Sequence, residues 1–178
     1  MSMETTIQSD RVFEGQVVGL RVDQVRLPDG RMSRREIVEH RGATCMVALD
    51  ADKNVLLVQQ YRKPTEQVLL EVPAGTLEPG ESPEECARRE LEEETGYTAR
   101  QIEPLADFYT SPGFCTERIF AYLATDLRPA SRKLDEDEAI ELVRVPFVQA
   151  VEMAYRGEIR DAKTIASLLL AAQRLARQ

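Results

Sequence analysis

Residues 75–97, GTLEPGESPEECARRELEEETGY, decide how this chain is read. Ser82, then Pro83, then Glu85 three positions after the serine, is a pattern that opens a helix. The serine hydroxyl accepts from a first-turn N–H, the proline lacks an N–H that would otherwise be orphaned, and the glutamate reaches back to the cap. Gly96 closes the helix, because glycine tolerates the left-handed backbone on which helices commonly end. Glu90, Glu93 and Glu94 then stand at i, i+3 and i+4, on one helix face. Carboxylates on neighbouring turns repel, and a hard divalent cation removes the repulsion, since carboxylate oxygens are the ligands that Mg2+ and Mn2+ favour. An isolated run of glutamates is ordinarily a solvated helix face. Here the run falls inside a wider spacing of Gly75, Glu81, Arg89, Glu90, Glu93, Glu94 and Gly96, and the joint pattern points to a metal site.

Upstream, residues 11–27 alternate apolar and polar, and PDGR at 28–31 turns the chain before RREIVEH at 34–40, so an antiparallel meander is expected. ATCMVALD (43–50) and NVLLVQQYR (54–62) flank a polar turn through Asp52, Lys53 and Asn54, as a hairpin of buried strands would. VLLEVPAG (68–75) then leads to the helix. Downstream, strands are expected at 99–110, 117–125 and 138–145, and helices at 147–156 and 161–177. In the last helix Ile165, Leu168, Leu169, Ala172 and Leu175 recur at helical spacing. No internal repeat is evident. The fold class is α+β, a central sheet packed between helices.

With 178 residues, 43% hydrophobic and 30% charged, the chain is long enough for one domain with a real core and short for two. A single domain over 1–178 is expected, with the meander at 1–40 and the core at 41–178. Cys45, Cys86 and Cys115 show no CxxC spacing, and His40 is the sole histidine, so neither a disulfide framework nor a zinc site is indicated and a reducing cytoplasm is expected. The N-terminal MSMETTIQSDR has no apolar core of a signal peptide, and no apolar run approaches the roughly 18 residues of a membrane span. A net charge of −8 and the lack of a basic stripe argue against nucleic acid as a partner. An acidic protein binds an anionic substrate only with cations at the site, which agrees with the carboxylate cluster.

At residues 75–97 the chain resembles the Nudix hydrolase family, whose box is Gly-x5-Glu-x7-Arg-Glu-U-x-Glu-Glu-x-Gly-U with U bulky and apolar. Every fixed position matches, Leu91 taking the first U and Tyr97 the second, over 23 of the 178 residues. The resemblance implies the Nudix fold, a mixed central sheet sandwiched between helices with an N-terminal antiparallel meander, and hydrolysis of a nucleoside diphosphate linked to a further moiety. Diphosphates resist water because their negative oxygens repel a nucleophile and no good leaving group forms unaided. Divalent metals neutralise the oxygens, lower the pKa of a bound water and stabilise the departing phosphate. Carried over from the family, Glu90 and Glu94 are direct ligands, with the Ala74 carbonyl as another. Glu93 ligates directly or through a water, which makes it a catalytic candidate as well. Two or more Mg2+ or Mn2+ ions per site are expected. Arg89 would pair with Glu81 and hold the carboxylates in ligating rotamers. Gly75 would let the loop turn sharply, and Leu91 would face the core.

Three flanking features resemble the ADP-ribose pyrophosphatase branch: EVPAG at 71–75, Pro112 within SPGF at 15 residues after Tyr97, and the acidic LDEDEAIE at 134–141. They imply cleavage of ADP-ribose to AMP and ribose 5-phosphate. Glu136 would be the general base and Glu138 a further metal contact, on a loop able to close over metal and substrate. Those two roles are exchangeable, with Glu141 or a water held by the box glutamates as fallback. Arg62 would meet the diphosphate or terminal ribose, and Ser111 and Glu117 the terminal ribose or phosphate. Arg35 would stack on adenine and Glu36 accept from its amino group. The meander often crosses a two-fold homodimer in this family, so Arg35 and Glu36 would serve the neighbouring subunit. The alternatives left open are a GDP-mannose or broad nucleotide-sugar hydrolase and a non-catalytic ADP-ribose-binding regulator.

Overall fold

Period-two alternation and helix caps become ten strands and three helices in a computed structural model that describes residues 3–132 and 139–177. The chain divides into two compact units, Met1–Gly42 with Tyr109–Arg118, and Ala43–Phe108 with Ile119–Gln178.

In the first unit, β1 (Thr5–Glu14), β2 (Val18–Arg26) and β3 (Met32–His40) form an antiparallel sheet in that order. The expected meander is present, but its first strand is displaced. The run 11–27 is broken at Gly15, whose N–H donates to the Val18 carbonyl at 2.9 Å, and β1 begins at Thr5. β1 is exposed at every residue, so no burial pattern marks it. The backbone ladder to β2, from Thr5 opposite Arg26 to Glu14 opposite Gly19, orders it instead. The PDGR turn forms as read, with the Gly30 N–H on the Leu27 carbonyl at 2.9 Å. Residues 109–118, which include SPGF, join this unit: Val38 N–H donates to the Phe114 carbonyl at 2.7 Å and Thr116 N–H to the Val38 carbonyl at 2.9 Å.

The second unit contains β4 (Ala43–Leu49), β5 (Asn54–Arg62), β6 (Gln67–Glu71), β7 (Ala74–Thr76), α1 (Pro83–Thr95), β8 (Tyr97–Tyr109), β9 (Arg118–Pro129), β10 (Ile140–Pro146), α2 (Phe147–Tyr155) and α3 (Ala162–Leu175). Its sheet runs β10-β5-β4-β9-β8, with β6 on β5 and β7 on β4. The sheet is mixed, because β4 runs parallel to β9 from Ala43 opposite Ile119 to Ala48 opposite Ala124. The expected hairpin between β4 and β5 is short, pairing Ala48 with Leu56 and Leu49 with Val55.

Alternation along the central strands sorts two cores. Cys45, Val47 and Leu49, with Val55, Leu57, Ala121 and Leu123, pack with Ala150 and Ala154 of α2 and Leu168 and Ala171 of α3. Met46 and Ala48, with Leu56, Tyr122 and Ala124, pack with Ala87 and Leu91 of α1. Helices therefore cover both faces, which is why ATCMVAL reads as a continuous apolar run. Leu91 is fully buried between helix and sheet. Leu91→Ala is expected to cost about 2–5 kcal/mol through lost transfer energy and a residual cavity, read as the shift of a urea unfolding curve at unchanged slope.

Candidate active site

The box helix begins and ends as its residues dictate. Glu85 N–H donates to Ser82 Oγ at 3.3 Å and Ser82 N–H to Glu85 Oε2 at 2.9 Å, a complete capping box. Gly96 closes α1 at φ 73°, its N–H on the Glu92 carbonyl at 2.8 Å. The buried face carries Cys86, Ala87, Leu91 and Thr95, and it takes Glu94 inward with them, to 4% exposure.

Residues 74–76 meet that face. Ala74 N–H donates to Glu94 Oε2 at 2.9 Å. Glu90 lies directly over Gly75, where a Cβ would stand 1.7 Å from Glu90 Oε1. Gly75 is thus required for close approach of a carboxylate; its φ is not in the left-handed region, so the sharp turn expected from the sequence is not its reason.

Arg89 divides its guanidinium among three carboxylates. Nε and Nη2 donate to Glu81 Oε1 and Oε2 at 2.9 and 3.0 Å, while Nη1 donates to Glu90 Oε1 at 2.7 Å and Glu93 Oε2 at 2.9 Å. The pairing with Glu81 is the one anticipated from the sequence. The fork from Arg89, aided by the Glu78 N–H, lowers the Glu81 pKa to about 2 against the cost of desolvation, and the Glu81 hydrogen bonds raise that of Arg89. Among the described residues, no three acidic, histidine or cysteine side chains converge as a ready metal cage. What α1 offers is an oxygen-only donor set on one face, with Glu90 and Glu93 gathered by one arginine and Glu94 tied to the strand. Such donors suit Mg2+ or Mn2+ rather than softer metals.

A second group of charges lies in the same unit. Arg62, at the end of β5, donates from Nε and Nη2 to Glu71 Oε1 and Oε2 at 2.8 and 2.7 Å. Glu71 is 1% exposed and also receives Lys163 Nζ, which bonds Asp161 Oδ2 at 3.0 Å. Asp161 caps α3 by accepting from Thr164 N–H at 2.9 Å, and Thr164 Oγ1 accepts from Val72 N–H at 2.9 Å. Burial pushes the Glu71 carboxyl up, but Arg62 and Lys163 together hold it below its ordinary value. Burial likewise opposes the charge on Lys163, and Asp161 and Glu71 raise its pKa regardless. The sequence reading named Arg62 and missed Glu71, Asp161 and Lys163. One signal was available, since a glutamate within the apolar VLLEVP is a charge that burial would have to pair.

The remaining expected contacts sit in the other unit. Arg35 pairs with Glu4 and donates to Ser33 Oγ at 2.9 Å. Glu36 follows it on β3, so the two side chains leave opposite faces of the strand. Glu117 Oε2 accepts from Thr110 Oγ1 at 2.7 Å, and the Ser111 carbonyl receives Phe114 N–H at 3.1 Å and Cys115 N–H at 2.9 Å. Glu136 and Glu138 lie outside the described residues; Glu141, the fallback, is exposed on β10. The three cysteines are free, and burial pushes the thiols of Cys45 and Cys86 up to about 11 and about 12, where they are inert.

A model of the NUDIX domain matches residues 38–168, well over half of the chain. The chain belongs to the Nudix family. It is 45% identical over 163 residues to the ADP-ribose pyrophosphatase of Bacillus subtilis (strain 168), covering 90% of this chain and 88% of that one. It is also 45% identical over 164 residues to the methanol dehydrogenase activator of Bacillus methanolicus, covering 91% and 89%. Among solved structures, a crystal structure of an ADP compounds hydrolase matches with a TM-score of 0.87 at 25% identity, over 98% of this chain and 95% of that one. The Nudix box is thus set in a full Nudix fold.

Arg89 also makes stability pH-dependent. A carboxylate whose pKa falls on folding stabilises the native state above its unfolded pKa and loses that contribution as pH falls through the folded one. For Glu81 the window runs from 4.5 down to about 2. Urea midpoints measured across this window should decline with pH in the wild type, and the decline should be shallower in Glu81→Gln, which is less stable at neutral pH.

Proposed function

We propose that this Nudix protein is a divalent-metal-dependent hydrolase that cleaves the diphosphate of ADP-ribose with water, giving AMP and ribose 5-phosphate. The observation that carries the reading is the placement of Glu90, Glu93 and Glu94 against residues 74–76, in a chain 45% identical over nine-tenths of its length to a protein named ADP-ribose pyrophosphatase. The oxygen-only donor set and the glycine that admits Glu90 fit a hard cation.

In this reading Glu90 and Glu94 hold the metal with the Ala74 carbonyl, Glu93 contributes directly or through a water, and Glu138 adds a contact. Bound there, Mg2+ or Mn2+ would neutralise diphosphate oxygens and lower the pKa of a water. Glu136 accepts the proton of the attacking water; its assignment, like that of Glu138, rests on its place in the 134–141 sequence. Arg62 supplies a fixed positive charge to the diphosphate, a task for which a planar, permanently charged group is suited. Arg35 and Glu36 take the nucleoside, and Ser111 and Glu117 the terminal ribose or its phosphate.

Ile7, Val12 and Phe13 of β1, with Val17 and Val18, are large apolar residues left exposed on the meander. That surface supports a homodimer through the meander. No helix among the described residues is long and apolar enough to cross a membrane. Free thiols support a cytoplasmic location.

Purified protein with Mg2+ should turn over ADP-ribose fastest in a panel of nucleoside diphosphate sugars that includes GDP-mannose, and a chelator should abolish the activity. Rapid turnover of another compound beside negligible turnover of ADP-ribose would reject the substrate. Glu94→Gln keeps an amide oxygen to accept from the Ala74 N–H, so the fold should survive while turnover falls about 10^2- to 10^4-fold. A wild-type rate in that variant would remove Glu94 from the metal site, and a wild-type protein that binds ADP-ribose without turning it over would favour the non-catalytic regulator.

A further inference from the structure

The Arg62, Glu71, Lys163 and Asp161 network is an arrangement that stability alone does not explain. Glu71 is buried to 1% exposure on β6, and the Lys163 side chain to 15% in the first turn of α3. Taking such charges out of water is costly, and an apolar set of the same volume is often as stable or more so. A lysine in the first turn also opposes the helix dipole, which favours negative charge there. Two unfavourable placements are therefore kept together, and what they share is Glu71 Oε2, which accepts from both Lys163 Nζ and Arg62 Nη2.

The consequence is felt at Arg62. With Nε and Nη2 committed to the two Glu71 oxygens, the plane of the guanidinium is set and the group cannot swing. Nη1 makes no hydrogen bond among the described residues, and the side chain is 37% exposed, so one donor nitrogen of a part-exposed guanidinium is left over once Glu71 is paired. The charge of Glu94 on the box helix acts on Arg62 and raises its pKa, after the larger effect of Glu71, so this cation lies within electrostatic reach of the site carboxylates. The backbone makes the same connection. Glu71 holds Arg62, Val72 N–H is held by Thr164 of α3, and Ala74 N–H holds Glu94, three links within four residues.

We propose that Glu71 and Lys163 are positioning residues that fix the Arg62 guanidinium with Nη1 presented to an anionic oxygen of the substrate diphosphate. Lys163 keeps Glu71 in place by sharing Oε2, and Asp161, which caps α3, keeps Lys163 in place. The inference rests on the hydrolase reading for its ligand, but its structural part stands separately. Free rotation of Arg62 would spread its charge over many positions, whereas a fixed one meets the diphosphate with no further loss of side-chain entropy.

Two measurements on the full-length protein test this. In steady-state hydrolysis of ADP-ribose with Mg2+, Glu71→Gln and Lys163→Met should raise KM by about tenfold while kcat stays within about threefold, and Lys163→Arg should recover most of the loss. Because Glu71 acts through Arg62, the double variant Arg62→Ala with Glu71→Gln should have the KM of Arg62→Ala alone. The second measurement is hydrogen exchange at the Arg62 Nε–H by NMR without substrate, which should quicken by at least about tenfold in Glu71→Gln and in Lys163→Met. KM effects that multiply in the double variant, or an unchanged KM in either single variant, would overturn the proposal. If the wild type hydrolyses no nucleoside diphosphate sugar, the hydrolase reading fails on its own, and the exchange rate still decides: unchanged exchange in both variants overturns the fixing of Arg62, and faster exchange supports it.

Discussion

Carboxylates crowded on one helix face must be offset by positive charge or by donated hydrogen bonds, and the organisation around α1 answers that requirement. Arg89 offsets Glu81, Glu90 and Glu93 together, and the Ala74 N–H serves Glu94. Each solution constrains something else. Donation from Ala74 draws residues 74–76 against the helix, and that approach excludes any side chain at Gly75. Glu94 reaches Ala74 because Ala87 and Leu91, on the same helix, are anchored in the sheet core formed with Met46, Leu56 and Tyr122. The chemistry of the site and the packing of the helix are two sides of one turn pattern.

The sheet converts that local arrangement into a site with neighbours. β4 is the hub, pairing antiparallel with β5 and β7 and parallel with β9. Its pairing with β7 fixes where Ala74 and Gly75 stand, and β5, further along the same edge of β4 and opposite β9, carries Arg62 and pairs with β6, which ends at Glu71. The C-terminal α3 then closes the arrangement from a distance, through Thr164 on Val72 and Lys163 on Glu71. Box carboxylates and a paired cation are thereby held by one backbone segment, 71–76, whose first residues, Glu71 and Val72, answer to α3 and whose next ones, Ala74 and Gly75, answer to α1.

Much of this was legible in the sequence where the physics is local. Ser82, Glu85 and Gly96 announced α1 because caps act within one turn, and the side-chain spacing on a helix follows from its geometry alone. The pairing of Arg89 with Glu81 was legible too, eight residues apart across a helix entry. Alternation announced the central strands, but it could not announce β1, whose residues are all exposed and carry no burial pattern. Nor could it show that β4 gives most of its length to β9, since a hairpin between sequence neighbours is the simplest reading of two apolar runs. The close approach at Gly75 looked like a turn for the same reason: which atom faces a glycine is a fact of packing.

By itself, then, the sequence determined the carboxylate face of α1, its capped ends, the family and the mixed architecture, because each depends on spacings within a turn, a strand or a motif. Only the tertiary structure decided what stands opposite those charges. Glu71 and Lys163 are separated by 92 positions, and nothing local to either predicts the other. They meet because burying the apolar faces of the sheet, α2 and α3 leaves a glutamate inside, and a charge taken out of water holds its place only beside a partner the fold delivers.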